Sequence, residues 1–346
     1  MSIYDEARTL KEKLKREQKD PLKIALFGQP GSGKSSIINK LVGYNAVETG
    51  VTTDKTKVAG IVHWNELLLV DLPGYGTTKF PDNNFFEKFE IDSFNLYLCV
   101  FSGKFHQADT NFFRELRSNG KVCLFVRNKH DEIWEDNKEI DKLEKEILED
   151  TCRQTQSREK VYFTSCRTKK GIKELSEAIY RNIDEAQKAK WVKSAKAYSF
   201  EFLEMKKQAC QKYVFVASGA AATNALNPIP GVDIGIDISV LVGLFASIRK
   251  NYGLTDEKLK SKEYTIPTLT PLINNVIKYA TTEGIEILIK RFAAREIVKS
   301  ISKYIPFVGQ AIAASIGYAI IRSAGMSYLE DCHELAKRIL EEELTN

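Results

Sequence analysis

The sequence has little with which to build a metal centre or a disulfide framework. Its 346 residues include six cysteines, Cys99, Cys123, Cys152, Cys166, Cys210 and Cys332, with no C-x-x-C pair among them. They read as free thiols of a reducing compartment. The four histidines, His63, His106, His130 and His333, have neither helical i, i+4 spacing nor neighbouring cysteines, so no zinc site is expected. An excess of one charge is also missing. Lysine and arginine exceed aspartate and glutamate by only 51 − 46 = +5, dispersed along the chain, and no DNA partner is expected. No secretory pattern opens the sequence, and residue 2 is Ser2 rather than the glycine that N-myristoylation requires, so the expected location is the cytoplasm. Uninterrupted hydrophobic runs are lacking too. The two most apolar stretches are broken by Asp233 and Asp237 in one and by Pro306 and Gln310 in the other, and neither reads as a transmembrane span. With 43% hydrophobic and 28% charged residues, disordered and collagen-like classes are excluded, and the length suits two compact units.

Three regions are legible. Residues 1–20 mix charges with Ile3, Leu10 and Leu14 at helical spacing, which predicts an amphipathic helix docking on a helical domain. Residues 21–187 alternate short apolar runs with helical stretches, the signature of a mostly parallel sheet with helices on both faces. The strand candidates are Lys23–Phe27, Lys57–Trp64, Leu67–Asp71, Leu96–Phe101, Val122–Val126 and Val161–Ser165. The clearest helices between them are Lys34–Val42, Asp109–Ser118 and Asn137–Thr155. The short link Asn65–Glu66 predicts one antiparallel hairpin at the sheet edge. Residues 188–346 turn wholly helical, with no strand expected.

The chemistry lies in the middle region. Gly28-Gln29-Pro30-Gly31-Ser32-Gly33-Lys34-Ser35 fits G-x-x-x-x-G-K-[ST] directly after a strand, with Ser36 and a helix following. Such a loop curls its N–H groups around phosphates; Lys34 reaches the β/γ oxygens, and the Ser35 hydroxyl is a Mg²⁺ ligand. Asp71-Leu-Pro-Gly74 closes another strand, where an aspartate holds Mg²⁺ through water and the Gly74 N–H senses the γ-phosphate. Asn128-Lys129-His130-Asp131 follows a third. The Asp131 carboxylate accepts from guanine N1–H and N2–H₂, whereas adenine offers an acceptor at N1 and nothing at C2, so the motif argues for GTP over ATP. Lys129 lies along the base and Asn128 braces the phosphate loop. Ser165 and Cys166, after the last strand, offer N–H groups to guanine O6. In the polar segment Gly50-Val-Thr52-Thr53-Asp54-Lys55 either threonine suits Mg²⁺; the V-T-T-D order resembles the T-T-R element of Era/TrmE-like GTPases and favours Thr53.

In their order these motifs look like a translation-factor-class GTPase domain, a Ras-like P-loop fold. The finer resemblance is to the immunity-related GTPases. It is carried by Gly31–Ser36 (GSGKSS), Asp71–Pro81 (DLPGYGTTKFP), Glu87–Phe105 and Phe125–Asp131 (FVRNKHD). Gln29-Pro30 replaces the Glu-Thr usual there and is similar to bacterial Era-like GTPases, although Gly31 stands where potassium-dependent members have asparagine; the resemblance implies a divergent or prokaryotic relative. The resemblance implies dynamin-like pairing of nucleotide domains in the GTP state and peripheral membrane attachment.

The residue after D-x-x-G is Tyr75, not a water-orienting glutamine, so intrinsic turnover is expected on the order of 10⁻⁴–10⁻² s⁻¹. On the pairing hypothesis Thr53, Asp54 or Lys55 completes catalysis in the dimer. Two echoing segments, Asn227–Gly253 and Lys303–Gly325, each set an Ile-Pro turn before an apolar, small-residue helix, and read as a buried helix pair or as a membrane-touching one. Two functions follow: a self-assembling GTPase acting at a membrane surface, or an Era/TrmE-like switch whose helical domain binds a protein or RNA partner.

Overall fold

The computed structural model describes residues 9, 12, 20–47, 60–73, 87, 89–223, 228–229, 232–235, 238–301 and 310–345. They divide into two compact units, one of residues 21–196 and one of residues 1–20 with 197–346. Most of the expected helix over 1–20 lies outside the described residues; Thr9 and Glu12 are helical.

The first unit is built on six strands: β1 (Leu22–Phe27), β2 (Gly60–Trp64), β3 (Leu67–Asp71), β4 (Leu96–Phe101), β5 (Cys123–Arg127) and β6 (Val161–Phe163), in spatial order β2-β3-β1-β4-β5-β6. All pairings are parallel except β2 with β3, the hairpin expected at the edge. Every residue of β4 is buried, as a central parallel strand covered on both faces requires. Edge strand β2 instead alternates, with Ile61 and His63 exposed and Val62 and Trp64 buried. The helices are α1 (Lys34–Val42), α2 (Gln107–Ser118), α3 (Ile140–Thr155), α4 (Ile172–Arg181) and α5 (Glu185–Ser194). Helix α2 buries Phe112, Phe113 and Leu116, and its rings meet the sheet edge-on at Phe27 (4.7 Å) and tilted at Phe125 (4.6 Å).

Helix α5 corrects the boundary expected at residue 187. It belongs with the sheet because the β2–β3 turn captures it. Trp64 Nε1 donates to Ser194 O (2.9 Å), Lys193 Nζ donates to Glu66 Oε1 (2.6 Å), and Trp191 is fully buried. Lys196 N continues this with a bond to Leu41 O (2.8 Å).

The second unit contains α6 (Phe200–Thr223), α7 (Ile238–Asn251), α8 (Asp256–Thr265), α9 (Thr270–Lys278), α10 (Thr282–Ile301) and α11 (Gln310–Thr345). The expectation of no strand here is overturned by a small hairpin of β7 (Pro228–Ile229) and β8 (Val232–Gly235). Pro228, which has no N–H for a helix ladder, stands in this hairpin, and the described helix of the first echo is Ile238–Asn251. The Ile-Pro turn of the second echo lies outside the described residues. The described parts of both echoes enter one core: Leu241, Leu244, Phe245 and Ile248 from α7 join Ile320, Ile321, Ala324 and Tyr328 from α11. Phe245 stacks on Tyr328 at 3.9 Å and 6°. Among the described residues no helix is long and apolar enough to cross a membrane.

Candidate functional site: the carboxyl edge of the sheet

Strand β1 lies between β3 and β4: the chain passes from β1 to β2 and β3 on one side and then crosses to β4 on the other, which opens a crevice at the carboxyl end of β1. The loop Gly28–Gly33 fills that position. A side chain at Gly28 (φ 127°) would meet Val100 O at 2.0 Å, and one at Gly33 (φ 90°) would meet Asn128 Nδ2 at 2.2 Å. Glycine is therefore required at both by backbone angle and by space. Pro30 and Gly31 stand exposed, Ser32 is buried, and Ser36 is half-buried in the first turn of α1. Helix α1 has Gly33 as its N-cap, with no capping side chain and no acidic residue in its first turn. Its leading N–H groups and the positive end of its dipole thus stay available to an anion.

Three side chains meet at the head of α1. Ser35 Oγ donates to Asp71 Oδ2 (2.7 Å), and Lys34 Nζ donates to Gly28 O (2.9 Å) and Gln29 O (3.2 Å) while lying 3.7 Å from Asp71 Oδ1. Two buried oxygens nearby, Asp71 Oδ1 and Ser32 Oγ, have no hydrogen-bond partner among the described residues. Such an atom costs about 1–3 kcal/mol unless something satisfies it. A hydroxyl, a carboxylate and an ammonium around unsatisfied oxygens is a donor set that suits a hydrated divalent cation and phosphate oxygens.

The elements expected to read the base follow β5 and β6. Asn128 is buried: Nδ2 donates to Ser32 O (2.9 Å), and Oδ1 accepts from Thr164 Oγ1 (3.2 Å) and Cys166 Sγ (3.6 Å). Burial pushes the Cys166 thiol up to about 11, so it remains a donor at neutral pH. Lys129 takes a left-handed backbone angle (φ 58°) and pairs with Glu132 at 3.5 Å. The Asp131 carboxyl is held below the ordinary aspartate range, first by a hydrogen bond from Ser165, with Arg167 Nε 2.9 Å away adding to it.

The two expected guanine O6 donors differ. Ser165 N–H is already given to Lys170 O (2.9 Å), whereas the Cys166 N–H has no partner among the described residues. Thr53, Asp54 and Gly74 lie outside the described residues, as do Thr52, Lys55 and Tyr75. The phosphate loop, Asp71, the 128–131 motif and the 164–166 loop are brought together by the sheet.

Reasoning from sequence missed three residues at this edge. Asp109 in the first turn of α2 accepts from Gln29 Nε2 (3.3 Å), which also donates to Lys104 O (2.7 Å), and burial raises its carboxyl pKa. Arg127 is buried under Asn128, donating from Nη1 to its carbonyl with the guanidinium 6.0 Å over the Phe101 ring. Arg167 sits on the carboxylate that would read the base. Only Arg127 carried a signal, a charged residue ending an otherwise apolar strand.

A phosphate-cradling loop, a carboxylate at the end of β3 and a guanine-type N-K-x-D at the end of β5 define a P-loop GTPase. More particularly, the chain belongs to the interferon-inducible GTPase (IIGP) family, whose model matches residues 2–341. It is similar to interferon-inducible GTPase 5 of Bos taurus, 22% identical over 99% of this chain and 80% of that protein. It is also similar to interferon-gamma-inducible GTPase 10 of Mus musculus, 30% identical over 35% of this chain. That second alignment spans 31% of the mouse protein's length. Among solved structures, a complex of Era with MgGDPNP and part of 16S ribosomal RNA shares 15% identity over 62% of this chain and 70% of Era, at a TM-score of 0.38.

Proposed function

We propose that this chain binds GTP at the carboxyl edge of the sheet and hydrolyses it to GDP and phosphate. The contact of Lys34, Ser35 and Asp71 around unsatisfied oxygens at the head of α1 carries the reading. Gly28, Gln29, Pro30, Gly31, Ser32, Gly33 and Ser36 form the loop and first turn whose N–H groups receive the α- and β-phosphates, and Lys34 offers its ammonium to the β/γ oxygens. Ser35, Asp71 through water, and Thr53 are the residues that would hold Mg²⁺, which when bound neutralises charge on the β- and γ-phosphates. Asn128 fixes the base loop to the phosphate loop, Lys129 covers the base, and Asp131 with the Cys166 N–H reads its edge; Ser165 acts by orienting Asp131. Water attacks the γ-phosphorus in line and GDP leaves, the chain's contribution being position and positive charge.

The second part of the proposal is that two copies pair through these domains in the GTP state and that Thr53, Asp54 and the Gly74 N–H complete hydrolysis there. Family membership and the absence of a glutamine after Gly74 support it. A cytoplasmic protein that reaches membranes peripherally agrees with both. The test is GTP turnover per molecule across a wide protein concentration range, with ATP as control. Specific activity rising with concentration is the expected result. Flat, slow turnover would instead favour a switch awaiting a partner, and equal use of ATP would sink the reading of Asp131.

A further inference from the structure

The third residue of the N-K-x-D motif, His130, is the one to which the motif assigns no role, and in this fold it is buried. Its backbone N–H donates to Thr164 O (2.9 Å), joining the 128–131 segment to the 164–166 loop. Its ring runs the other way, with Nε2 2.6 Å from Glu144 Oε1 on α3. Lys170 closes a triangle, its Nζ 3.5 Å from the same Glu144 oxygen and 3.0 Å from Nε2. Lys170 also accepts the Ser165 N–H on its carbonyl (2.9 Å), and Ser165 is the main influence holding the Asp131 carboxyl below the ordinary aspartate range. The edge of the Phe163 ring, 6.1 Å from the imidazole, closes the remaining side.

We propose that His130, tied to Glu144 and Lys170, is the positioning residue that holds Asp131 and the 164–166 loop in guanine-reading register. The inference rests on the reading of Asp131 given above and deepens it. Both base-contacting segments are loops, which on their own would sample many geometries. The cluster anchors one of them to α3 through the imidazole and the other through Lys170, so the spacing between the Asp131 carboxylate and the Cys166 N–H becomes a property of a helix. A guanine needs that spacing, because its N1–H and N2–H₂ go to one loop while O6 goes to the other.

The experiment compares GDP, inosine diphosphate and ADP binding by fluorescence competition with the full chain. Inosine lacks the 2-amino group, so the GDP to inosine diphosphate ratio reads the geometry of Asp131 separately from phosphate affinity. The wild type should prefer GDP over inosine diphosphate by about ten- to a hundredfold, one charge-assisted hydrogen bond. His130→Ala should bring that preference under about threefold, and Glu144→Ala, on the half-buried outer side of the cluster, should do the same. His130→Gln, whose amide N–H can still reach Glu144, should restore most of it. A wild type that does not distinguish GDP from ADP removes the reading of Asp131 and this inference with it. A wild-type preference that survives intact in Glu144→Ala, and in His130→Ala wherever that variant folds, overturns the role of His130 alone.

Discussion

At the residue scale the site turns on two aspartates held in opposite ways. Asp71 keeps one buried oxygen without a hydrogen bond, whereas Asp131 receives Ser165 and Arg167 and lies below the usual carboxylate range. On the proposed reading, a ligand would complete the hydrogen bonding of the first and displace a partner from the second. The Arg167 guanidinium is largely exposed, and an exposed pair of this kind is worth no more than about 1 kcal/mol, so a guanine edge supplying two donors outcompetes it. Asp131→Asn exchanges one acceptor for a donor. GDP affinity should fall by about a hundredfold or more, while xanthosine diphosphate, which presents a carbonyl where guanine has its amine, should bind more tightly than GDP in competition titrations. Ser35→Ala removes the hydroxyl beside Asp71 and should make nucleotide affinity insensitive to chelation of Mg²⁺, whereas wild-type affinity should drop when the cation is withdrawn.

At the scale of elements, the helical unit offers two tests. Lys206 on α6 is fully buried and donates to Asn251 O (2.6 Å) at the last turn of α7, where a cation complements the helix dipole. Burial lowers its ammonium pKa to about 7. The unfolded chain holds that proton up to the ordinary lysine range, so between about pH 7 and that range the unfolded state binds more protons than the folded one, and this group makes stability rise with pH. Below about pH 7 its contribution is constant and at its least favourable. Lys206→Met should flatten the rise, seen as a smaller gain in Tm from pH 7 to pH 9 than in the wild type. Gly325 on α11 lies where an added Cβ would meet Val214 Cγ1 of α6 at 2.8 Å. Gly325→Val should cost about 1–3 kcal/mol in denaturant unfolding, by overpacking a contact that small residues keep close.

The same scale shows what was legible in the sequence. Short apolar runs marked the strands of the main sheet to within a few residues, because buried parallel strands such as β4 are continuous in composition, and the two-residue link after Trp64 marked the one antiparallel hairpin. The phosphate loop and Asn128–Asp131 were legible because phosphate and guanine chemistry demand fixed residues at fixed spacing. The roles of His130 and Asp109 were not, since each comes from a partner on another element, Glu144 and Gln29. Helix α5 was misassigned for a related reason. Its apolar periodicity said only that it packs, and the residues it packs on, Trp64 and Glu66, belong to a turn more than a hundred positions earlier.

At the scale of the whole molecule, the prediction concerns number of copies. The segment with Thr53 and Asp54 has no glutamine to assist it in the sequence after Asp71. If a second copy supplies what is missing, GTP turnover per molecule should climb steeply with concentration, and sizing in a non-hydrolysable GTP analogue should show a species absent in GDP. Alanine at Asp54 should abolish that climb while leaving GDP affinity unchanged.

Residues 21–196 form a continuous unit inserted into a discontinuous one, and the most extensive helix pairing in the latter joins α6 to the much later α11. During synthesis the sheet can close and acquire nucleotide while the faces of α6 that carry Val214 and Cys210 still await Ala324 and Tyr328. A nascent chain stalled before α11 would then carry a finished nucleotide site and an unfilled apolar seam at once, the state in which chaperone capture should be strongest.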